Sequence, residues 1–362
     1  MRPLDPASPL SPEFLFAVSE TLSTFLDAKT PLLDAVGATD LLPVAREYVG
    51  AGKRLRPAFC YWGHVAAGGR PDDDAALLAV ASSLDLLHTS ALVHDDLIDA
   101  ADTRRSVPSA HKRFEALHAA RAGRGSETEF AASSAILLGD LLLMWSIELA
   151  DGSGAARLDA ARPLLAAMRA EVTAGQFLDV SAQYGVTGAA GYAEELDVAR
   201  RVLEYKSASY SVRRPAQAGA ALGGADDALL AALGDFGSLI GRAFQLRDDV
   251  LGVYGDPAVT GKPYGGDIHE GKRTVLVLTA LASADPLDAA ELDAMLGAPG
   301  LTDADVDRAA ALIEASGARA HVERLIEEGT DRALAALDAA EMTEEGRTAL
   351  ARLAEMSVRR VR

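Results

Sequence analysis

Apolar residues recur at intervals of three and four along most of this 362-residue chain and rarely alternate with polar residues. This spacing places them on one face of a helix, whereas a half-buried strand requires alternation. Between residues 75 and 99 the apolar positions cover most of a helix surface, which is typical of a buried helix. Glycine-containing breaks at 122–126, 151–154, 185–191 and 223–224 separate such stretches. The pattern predicts an all-α protein of about a dozen helices.

The helical stretches are not separated by a long linker, and the chain has no internal repeat with a period of about 20 to 50 residues. We therefore expect one helical domain over residues 13–362, preceded by a flexible N-terminal segment over residues 1–12. Ser11 and Thr302 are each followed by acidic residues, a pattern that marks the start of a helix.

Composition and charge narrow the classes of function. Hydrophobic residues make up 49% and charged residues 24% of the chain, as in folded globular proteins. The net charge of −18 argues against nucleic acid as a partner, because that interaction needs a basic surface. The single cysteine, Cys60, excludes an intramolecular disulfide and a cysteine-based zinc site. Neither a secretory signal nor a transmembrane segment is predicted, so we expect a cytoplasmic protein.

Three aspartates, Asp95, Asp96 and Asp99, end the apolar stretch 75–99, where charge is otherwise unexpected. On a helix Asp95 and Asp99 are one turn apart, about 6 Å along the axis, and project from one face. Mg²⁺ is usually bound by one or two carboxylates, retained waters and phosphate oxygens, which fits such a face. A solvated helix end is the alternative interpretation of this motif alone.

A second acidic pair, Asp248 and Asp249, follows the apolar run 236–244. If the two acid-bearing helices are neighbours that point the same way, their carboxylates form a metal-lined mouth suited to a diphosphate. Unrelated placement of the two pairs is the alternative.

Basic residues accompany the acidic clusters. Arginine binds phosphate oxygens with a planar fork, whereas lysine acts as a point charge. Each basic run alone is also compatible with a solvated surface, but Arg104 and Arg105 directly follow the first acidic cluster. The other candidate phosphate-binding cations are Lys53, Arg56, Lys206, Lys262 and Lys272.

Seven short stretches occur in a fixed order between residues 52 and 278. They are GKRLRP at 52–57, HTSALVHDDLIDAADTRR at 88–105, LLGD at 137–140, GQFLD at 175–179, YKSASYS at 205–211, FQLRDD at 244–249 and GKPYGGDIHEGKRT at 261–274. In this order they resemble the trans-polyprenyl diphosphate synthase family, most closely the bacterial geranylgeranyl diphosphate synthases. The resemblance implies a bundle of helices around a deep central cavity, a homodimer, and three Mg²⁺ ions in each active site when substrate is bound.

The resemblance also implies an activity and assigns residues to it. The enzyme would condense isopentenyl diphosphate with an allylic diphosphate (dimethylallyl, geranyl or farnesyl) by metal-assisted ionisation and release diphosphate. The implied metal-binding residues are Asp95, Asp96, Asp99, Asp248 and Asp249. The residues implied for isopentenyl diphosphate are Lys53, Arg56, His88 and Arg105. Those implied for the allylic diphosphate are Arg104, Lys206 and Lys262, with Lys272 also counted as substrate-binding. The implied catalytic residues, which stabilise the allylic cation or bind its diphosphate, are Lys206, Ser207 and Gln245.

At the position where the second acidic motif of this family commonly has a third aspartate, the chain has Gly252. We expect activity to persist because Asp248 and Asp249 remain, with metal occupancy the property most affected.

Product length is predicted from the residues before the first acidic motif. Ser90 and Ala91 are small, which favours a product of twenty carbons or more, and Leu87, one turn deeper, is the expected floor of the pocket. Geranylgeranyl diphosphate is the expected main product, and a longer-chain or a farnesyl diphosphate synthase is the alternative.

Two other functions are compatible with parts of the pattern. A class I terpene cyclase also ionises a prenyl diphosphate at an Asp-rich helix end, but it needs no second diphosphate site and leaves Lys53 and Arg56 without a role. A catalytically silent partner subunit of a heteromeric synthase would keep the fold, and only Gly252 favours it. The basic C-terminal segment 357–362 either closes over the cavity or frays in solvent.

Overall fold

The computed structural model describes residues 4–69, 74–104, 107–255 and 264–358, and it confirms the predicted all-α single-domain fold. In chain order the first helices are α1 (Pro12–Asp27), α2 (Thr30–Val36), α3 (Leu41–Gly50), α4 (Leu55–Ala66), α5 (Asp74–Ile98), α6 (Ala110–Ala120), α7 (Glu127–Asp151), α8 (Leu158–Gln183) and α9 (Tyr192–Val202). A short antiparallel pair of strands, β1 (Thr103–Arg104) and β2 (Val107–Pro108), lies between α5 and α6.

A π-helical segment, Leu203–Arg213, follows α9 directly. After it come α10 (Arg214–Gly223), α11 (Asp227–Tyr254), α12 (Gly266–His269), α13 (Val275–Ser283), α14 (Pro286–Met295), α15 (Asp303–Ala315), α16 (Ala318–Ala339) and α17 (Glu344–Val358).

Both helix starts expected from capping sequences are confirmed. The Ser11 hydroxyl accepts a hydrogen bond from the Phe14 amide at the start of α1, and Thr302 forms a reciprocal capping box with Asp305 at the start of α15. The boundary between a flexible segment over residues 1–12 and the domain stays a prediction. The C-terminal arginines beyond residue 358 lie outside the described residues.

Helix α5 forms the centre of the bundle and packs against α7, α4 and α1. Both α5 and α7 are long and apolar enough to cross a membrane on length and composition alone, but the most apolar window of α5 is 83% buried within the fold. That burial is typical of a core helix. The corresponding window of α7 is only 39% buried, so α7 leaves an apolar face exposed.

The π-helical segment is held between α8 and α11 at unusually close range. A Cβ atom added at Gly175 of α8 would come within 3.0 Å of the Lys206 backbone, and one added at Gly241 of α11 would come equally close to Ala208. Glycine is therefore required at these positions for the helices to approach. Long π-helical turns are rare and often mark functional sites, so this segment directs attention to the side chains that it carries.

Candidate active site

A cavity of about 1180 Å³ opens between α3, α4, α5, α8, α9, the π-helical segment, α11, α12 and α13. It brings together most of the residues singled out in the sequence. Those that line it are Lys53, Arg56, His88, Asp95, Asp99, Arg104, Lys206, Ser207, Gln245, Asp248, Asp249 and Lys272. The two acidic clusters, although distant in the chain, thus contribute to the wall of one cavity.

The structure does not place the remaining predicted residues in the lining of this cavity, for two different reasons. Arg105 and Lys262 lie outside the described residues. The three proposed chain-length residues are on α5 but do not line the described cavity: Leu87, Ser90 and Ala91. Their roles in product length stay predictions.

Asp95, which lines the cavity, contacts several polar side chains. Its Oδ1 accepts hydrogen bonds from Lys206 Nζ at 3.2 Å and from Gln176 Nε2 at 2.9 Å, and Lys206 also donates to Asp179 Oδ2 at 2.5 Å. Burial by itself would raise the pKa of Asp95, but the charges of Lys206 and Arg104 outweigh this effect and lower it. Burial likewise disfavours the charged form of Lys206, yet Asp95 and Asp179 prevail and raise the pKa of its ammonium group. The lowered pKa of Asp95 and the raised pKa of Lys206 keep both of these side chains charged at neutral pH.

The GQFLD stretch at 175–179 is part of the family resemblance, and the sequence patterns alone indicate no role for its residues. The structure shows that Gln176 and Asp179, one turn apart on α8, both contact the Asp95–Lys206 pair. Because residues three apart lie on one face of a helix, the spacing of Gln176 and Asp179 could have indicated that both contact the same site.

Asp99 and Lys272 meet on the other side of the acidic cluster. Lys272 Nζ lies 3.5 Å from Asp99 Oδ2 and also pairs with Glu270. Burial, together with the nearby charge of Asp95, raises the pKa of Asp99. Burial opposes the charge of Lys272, but the surrounding carboxylates outweigh it and raise the pKa of its ammonium group. A cation bound between Asp95 and Asp99 would relieve the repulsion between them.

Asp96 has a different environment from its neighbours. Its side chain is fully buried and does not line the cavity. Tyr48 Oη donates to Asp96 Oδ2 at 2.8 Å and accepts from the Ala110 amide at 2.7 Å, while Arg104 Nε donates to Asp96 Oδ1 at 2.6 Å. Burial and the Asp96 charge raise the pKa of Tyr48, which keeps its hydroxyl a donor. In this structure Asp96 positions Arg104 and the start of α6. Its role as a metal ligand stays a prediction.

A second wall of the cavity is basic and aromatic. Arg56 Nη2 donates to Ser211 Oγ at 2.8 Å, and the guanidinium lies 4.1 Å from the ring centroid of Tyr210. The Tyr210 hydroxyl is 3.1 Å from His88 Nδ1. Arg56 Nε is buried and has no hydrogen-bond partner among the described residues. A buried donor without a partner is costly, so this wall suits an anion such as a diphosphate.

A buried ion pair holds this basic wall in place. Arg54 Nη1 donates to Asp85 Oδ2 at 2.7 Å, and the two side chains are only 5% and 7% exposed. Arg54 adopts the left-handed region, with φ of 56°, at the point where α4 begins. Because Asp85 precedes His88 by less than one turn of α5, the pair ties the segment 53–56 to the helix that carries His88.

Two glutamates, the half-buried Glu171 and the buried Glu204, anchor the π-helical segment from outside the cavity. Glu171 of α8 accepts hydrogen bonds from Arg214 and Ser209, and Glu204 accepts from Arg242 of α11 at 2.6 Å. Burial would raise the pKa of Glu171, but the hydrogen bonds from Arg214 and Ser209 outweigh it and lower the pKa. These contacts fix the register in which the segment presents Lys206 to the cavity.

The donor set of the cavity fits a hard divalent cation only in part. Among the described residues, no group of three or more His, Cys, Asp or Glu side chains is arranged to hold a metal ion. Asp95 and Asp99 present carboxylate oxygens from one helix, and Asp248 and Asp249 from another. Mg²⁺ characteristically combines one or two carboxylates with waters and substrate phosphate oxygens. The residues therefore fit Mg²⁺ together with a phosphorylated substrate.

Comparison with known proteins gives consistent matches over most of the chain. Residues 39–313 match the family model described as polyprenyl synthetase. The fold superposes, over 96% of this chain and 99% of the other, on a geranylgeranyl pyrophosphate synthase from Corynebacterium glutamicum complexed with isoprenyl diphosphate and magnesium, with a TM-score of 0.90 and 37% identity.

Two relatives extend this result. A geranylgeranyl diphosphate synthase from Mycobacterium tuberculosis is 33% identical over 295 residues, which is 79% of this chain and 75% of that protein. A short chain isoprenyl diphosphate synthase from Methanothermobacter thermautotrophicus is 33% identical over 250 residues, which is 68% of each protein.

Proposed function

The chain belongs to the polyprenyl synthetase family, and from that premise we propose that its cavity holds two diphosphates side by side, one in each of two subsites. It is a prenyltransferase that lengthens an allylic diphosphate with isopentenyl diphosphate, and its similarity to geranylgeranyl diphosphate synthases supports a twenty-carbon product. The observation that carries the two-subsite proposal is the difference between two parts of the cavity wall. The acidic wall consists of Asp95, Asp99 and Asp248 with the paired lysines Lys206 and Lys272. The basic wall contains Arg56, whose Nε has no hydrogen-bond partner among the described residues.

The acidic wall is the proposed allylic subsite. Asp95, Asp99 and Asp248 would supply carboxylate oxygens to Mg²⁺, which is bound in the C. glutamicum structure, and we propose three ions per site. Bound magnesium would neutralise the charge that develops on the diphosphate as the carbon–oxygen bond breaks. Lys206 and Arg104, already held against Asp95, would contact the same diphosphate.

Ionisation leaves an allylic cation whose positive charge nearby oxygen dipoles can stabilise. Ser207 and Gln245 line the cavity and carry oxygen dipoles suited to this task. The Gln245 amide NH₂ donates to Asp249 at 2.9 Å, so its amide oxygen is the end available to the cation. The isopentenyl double bond forms the new carbon–carbon bond, and the proton lost in restoring an alkene passes to the released diphosphate. Lys206 stays protonated, because its neighbours raise its pKa, and so does not act as the base.

The basic wall is the proposed isopentenyl subsite. Arg56 and His88 line it, and Lys53 lies on its exposed rim. The buried Nε of Arg56 would donate to a diphosphate oxygen. No metal is needed here, because the cations themselves balance the charge.

Substitutions in the two walls test the proposal by their effects on different substrates. Arg56→Gln should raise KM for isopentenyl diphosphate, because a charge-assisted hydrogen bond contributes about 1.5 to 3 kcal/mol, or about 10- to 150-fold. Lys206→Gln should instead lower kcat and raise KM for the allylic diphosphate. Arg200→Gln, which alters an exposed side chain paired with Asp197 on the surface, is the matched control. Equal effects of both variants on the same substrate would contradict two subsites.

The exposed face of α7 supports a homodimer. Its large exposed apolar side chains are Phe130, Ile136, Leu137, Met144 and Ile147. Phe130, Leu137 and Met144 are spaced by seven residues and therefore share one face of the helix. Exposed apolar patches of this kind mark interfaces. We propose that a second copy of the chain covers this face. Leu137→Glu should give a monomer in size-exclusion chromatography with light scattering, whereas Leu287→Glu, on exposed α14, should not; a monomeric unaltered protein would contradict the proposal.

A further inference from the structure

Gly252 lies on α11 one helical turn after Asp248, so the two positions face the same side of the helix. A Cβ atom added at Gly252 would come within 3.0 Å of the carboxylate carbon and both carboxylate oxygens of Asp267. These are its three nearest atoms. The space that a side chain at position 252 would occupy is therefore filled by the Asp267 carboxylate, which α12 supplies.

The surroundings of Asp267 are those of the acidic wall. Asp267 is 7% exposed and lines the same cavity as Asp248 and Asp249. Its charge is one of those that help to keep Lys272 protonated. A buried carboxylate is costly unless cations compensate it, and placing one against α11 requires the absence of a side chain at position 252.

We propose that Asp267 completes the second acidic cluster by supplying, from α12, the carboxylate that Gly252 cannot. It would serve as an oxygen ligand to magnesium, directly or through a bound water, next to Asp248. The inference rests on the proposed function, since it concerns the ions that hold the allylic diphosphate. It explains why a glycine at position 252 is compatible with a working site.

Thermal unfolding in the presence of Mg²⁺ and inorganic diphosphate tests this role without measuring turnover. The melting temperature is followed as Mg²⁺ is titrated at a fixed, saturating diphosphate concentration, and the Mg²⁺ midpoint is compared between variants. Asp267→Asn should raise that midpoint about tenfold or more, as loss of a supporting ligand does elsewhere. Asp235→Asn, an exposed change on the same helix α11, should leave it unchanged.

A relocation variant makes the test independent of the stability of Asp267→Asn. Gly252→Asp combined with Asp267→Gly returns the carboxylate to α11 and should bring the midpoint to within about threefold of the unaltered protein. Asp267→Asn with a midpoint within about twofold of the unaltered protein would overturn the proposal. If Asp267→Asn does not fold, a relocation variant that folds but lacks the Mg²⁺ response would overturn it instead. Absence of any Mg²⁺-dependent shift in the unaltered protein would refute the proposed function itself.

Discussion

Replacing Asp85 with asparagine removes the carboxylate from the buried pair that joins the start of α4 to α5. Arg54 and Asp85 are 2.7 Å apart, and their side chains are 5% and 7% exposed, so water cannot replace the lost partner. Breaking a buried pair by removing one member costs about 3 to 5 kcal/mol, because the remaining charge is left uncompensated. The asparagine amide oxygen can still accept from Arg54, which places Asp85→Asn near the lower end of this range.

The expected change in melting temperature follows from the size of the chain. Unfolding entropy is about 2.1 cal/mol/K per residue, or about 0.76 kcal/mol/K for 362 residues, so a loss of about 3 to 5 kcal/mol lowers the melting temperature by about 4 to 7 °C. For Asp85→Asn we expect a value near the lower end, about 4 °C. Because the pair also fixes the segment 53–56, KM for isopentenyl diphosphate should rise while KM for the allylic diphosphate changes little.

The assay combines thermal unfolding without ligands and steady-state kinetics with each substrate varied in turn. Asp159→Asn is the matched control, because Asp159 pairs with Arg162 at the surface and is 92% exposed. It should leave both quantities unchanged, as surface pairs contribute little. A melting temperature for Asp85→Asn within about 1 °C of the unaltered protein, with unchanged KM values, would refute a structural role for the pair.

Three further outcomes are expected. Gly241→Ala should destabilise the protein by about 1 to 3 kcal/mol and lower kcat, because the added methyl displaces the π-helical segment; an unchanged melting temperature and kcat would contradict this. Leu87→Ala should yield longer products, and unchanged product length on chromatography would remove Leu87 as the floor. Glu171→Gln should lower stability at neutral pH. Because the folded pKa of Glu171 lies below its usual value of 4.5, the difference from the unaltered protein should shrink as the pH falls below that value, and a constant difference would contradict the pairing.

The helical architecture and the sharing of one cavity by the two acidic clusters were predictable from local patterns. The apolar stretch 75–99 marked a buried helix, and the one-turn spacing of Asp95 and Asp99 indicated a common face. The same geometry places Asp96 about 100° around the helix, which is where the structure finds it buried against Tyr48.

Other features depend on contacts between residues far apart in the chain. The π-helical segment packs closely against α8 at Gly175 and against α11 at Gly241, and no local sequence propensity indicates such a contact. The position of Asp267 against Gly252 likewise follows from the packing of α12 on α11. These contacts join residues that are far apart in the chain and do not follow from local sequence preference. The sequence pattern therefore identifies the acidic motifs but not the side chains that contact them.

Extension of allylic primers with labelled isopentenyl diphosphate tests the central claim most directly. Dimethylallyl, geranyl and farnesyl diphosphate are supplied in turn with magnesium, and the dephosphorylated products are sized by chromatography. Each primer should give a labelled alcohol of mainly twenty carbons, with none formed when primer or magnesium is omitted or when Asp95→Ala is used. Diphosphate released from an allylic substrate alone, with a cyclic hydrocarbon and no incorporated label, would contradict the account.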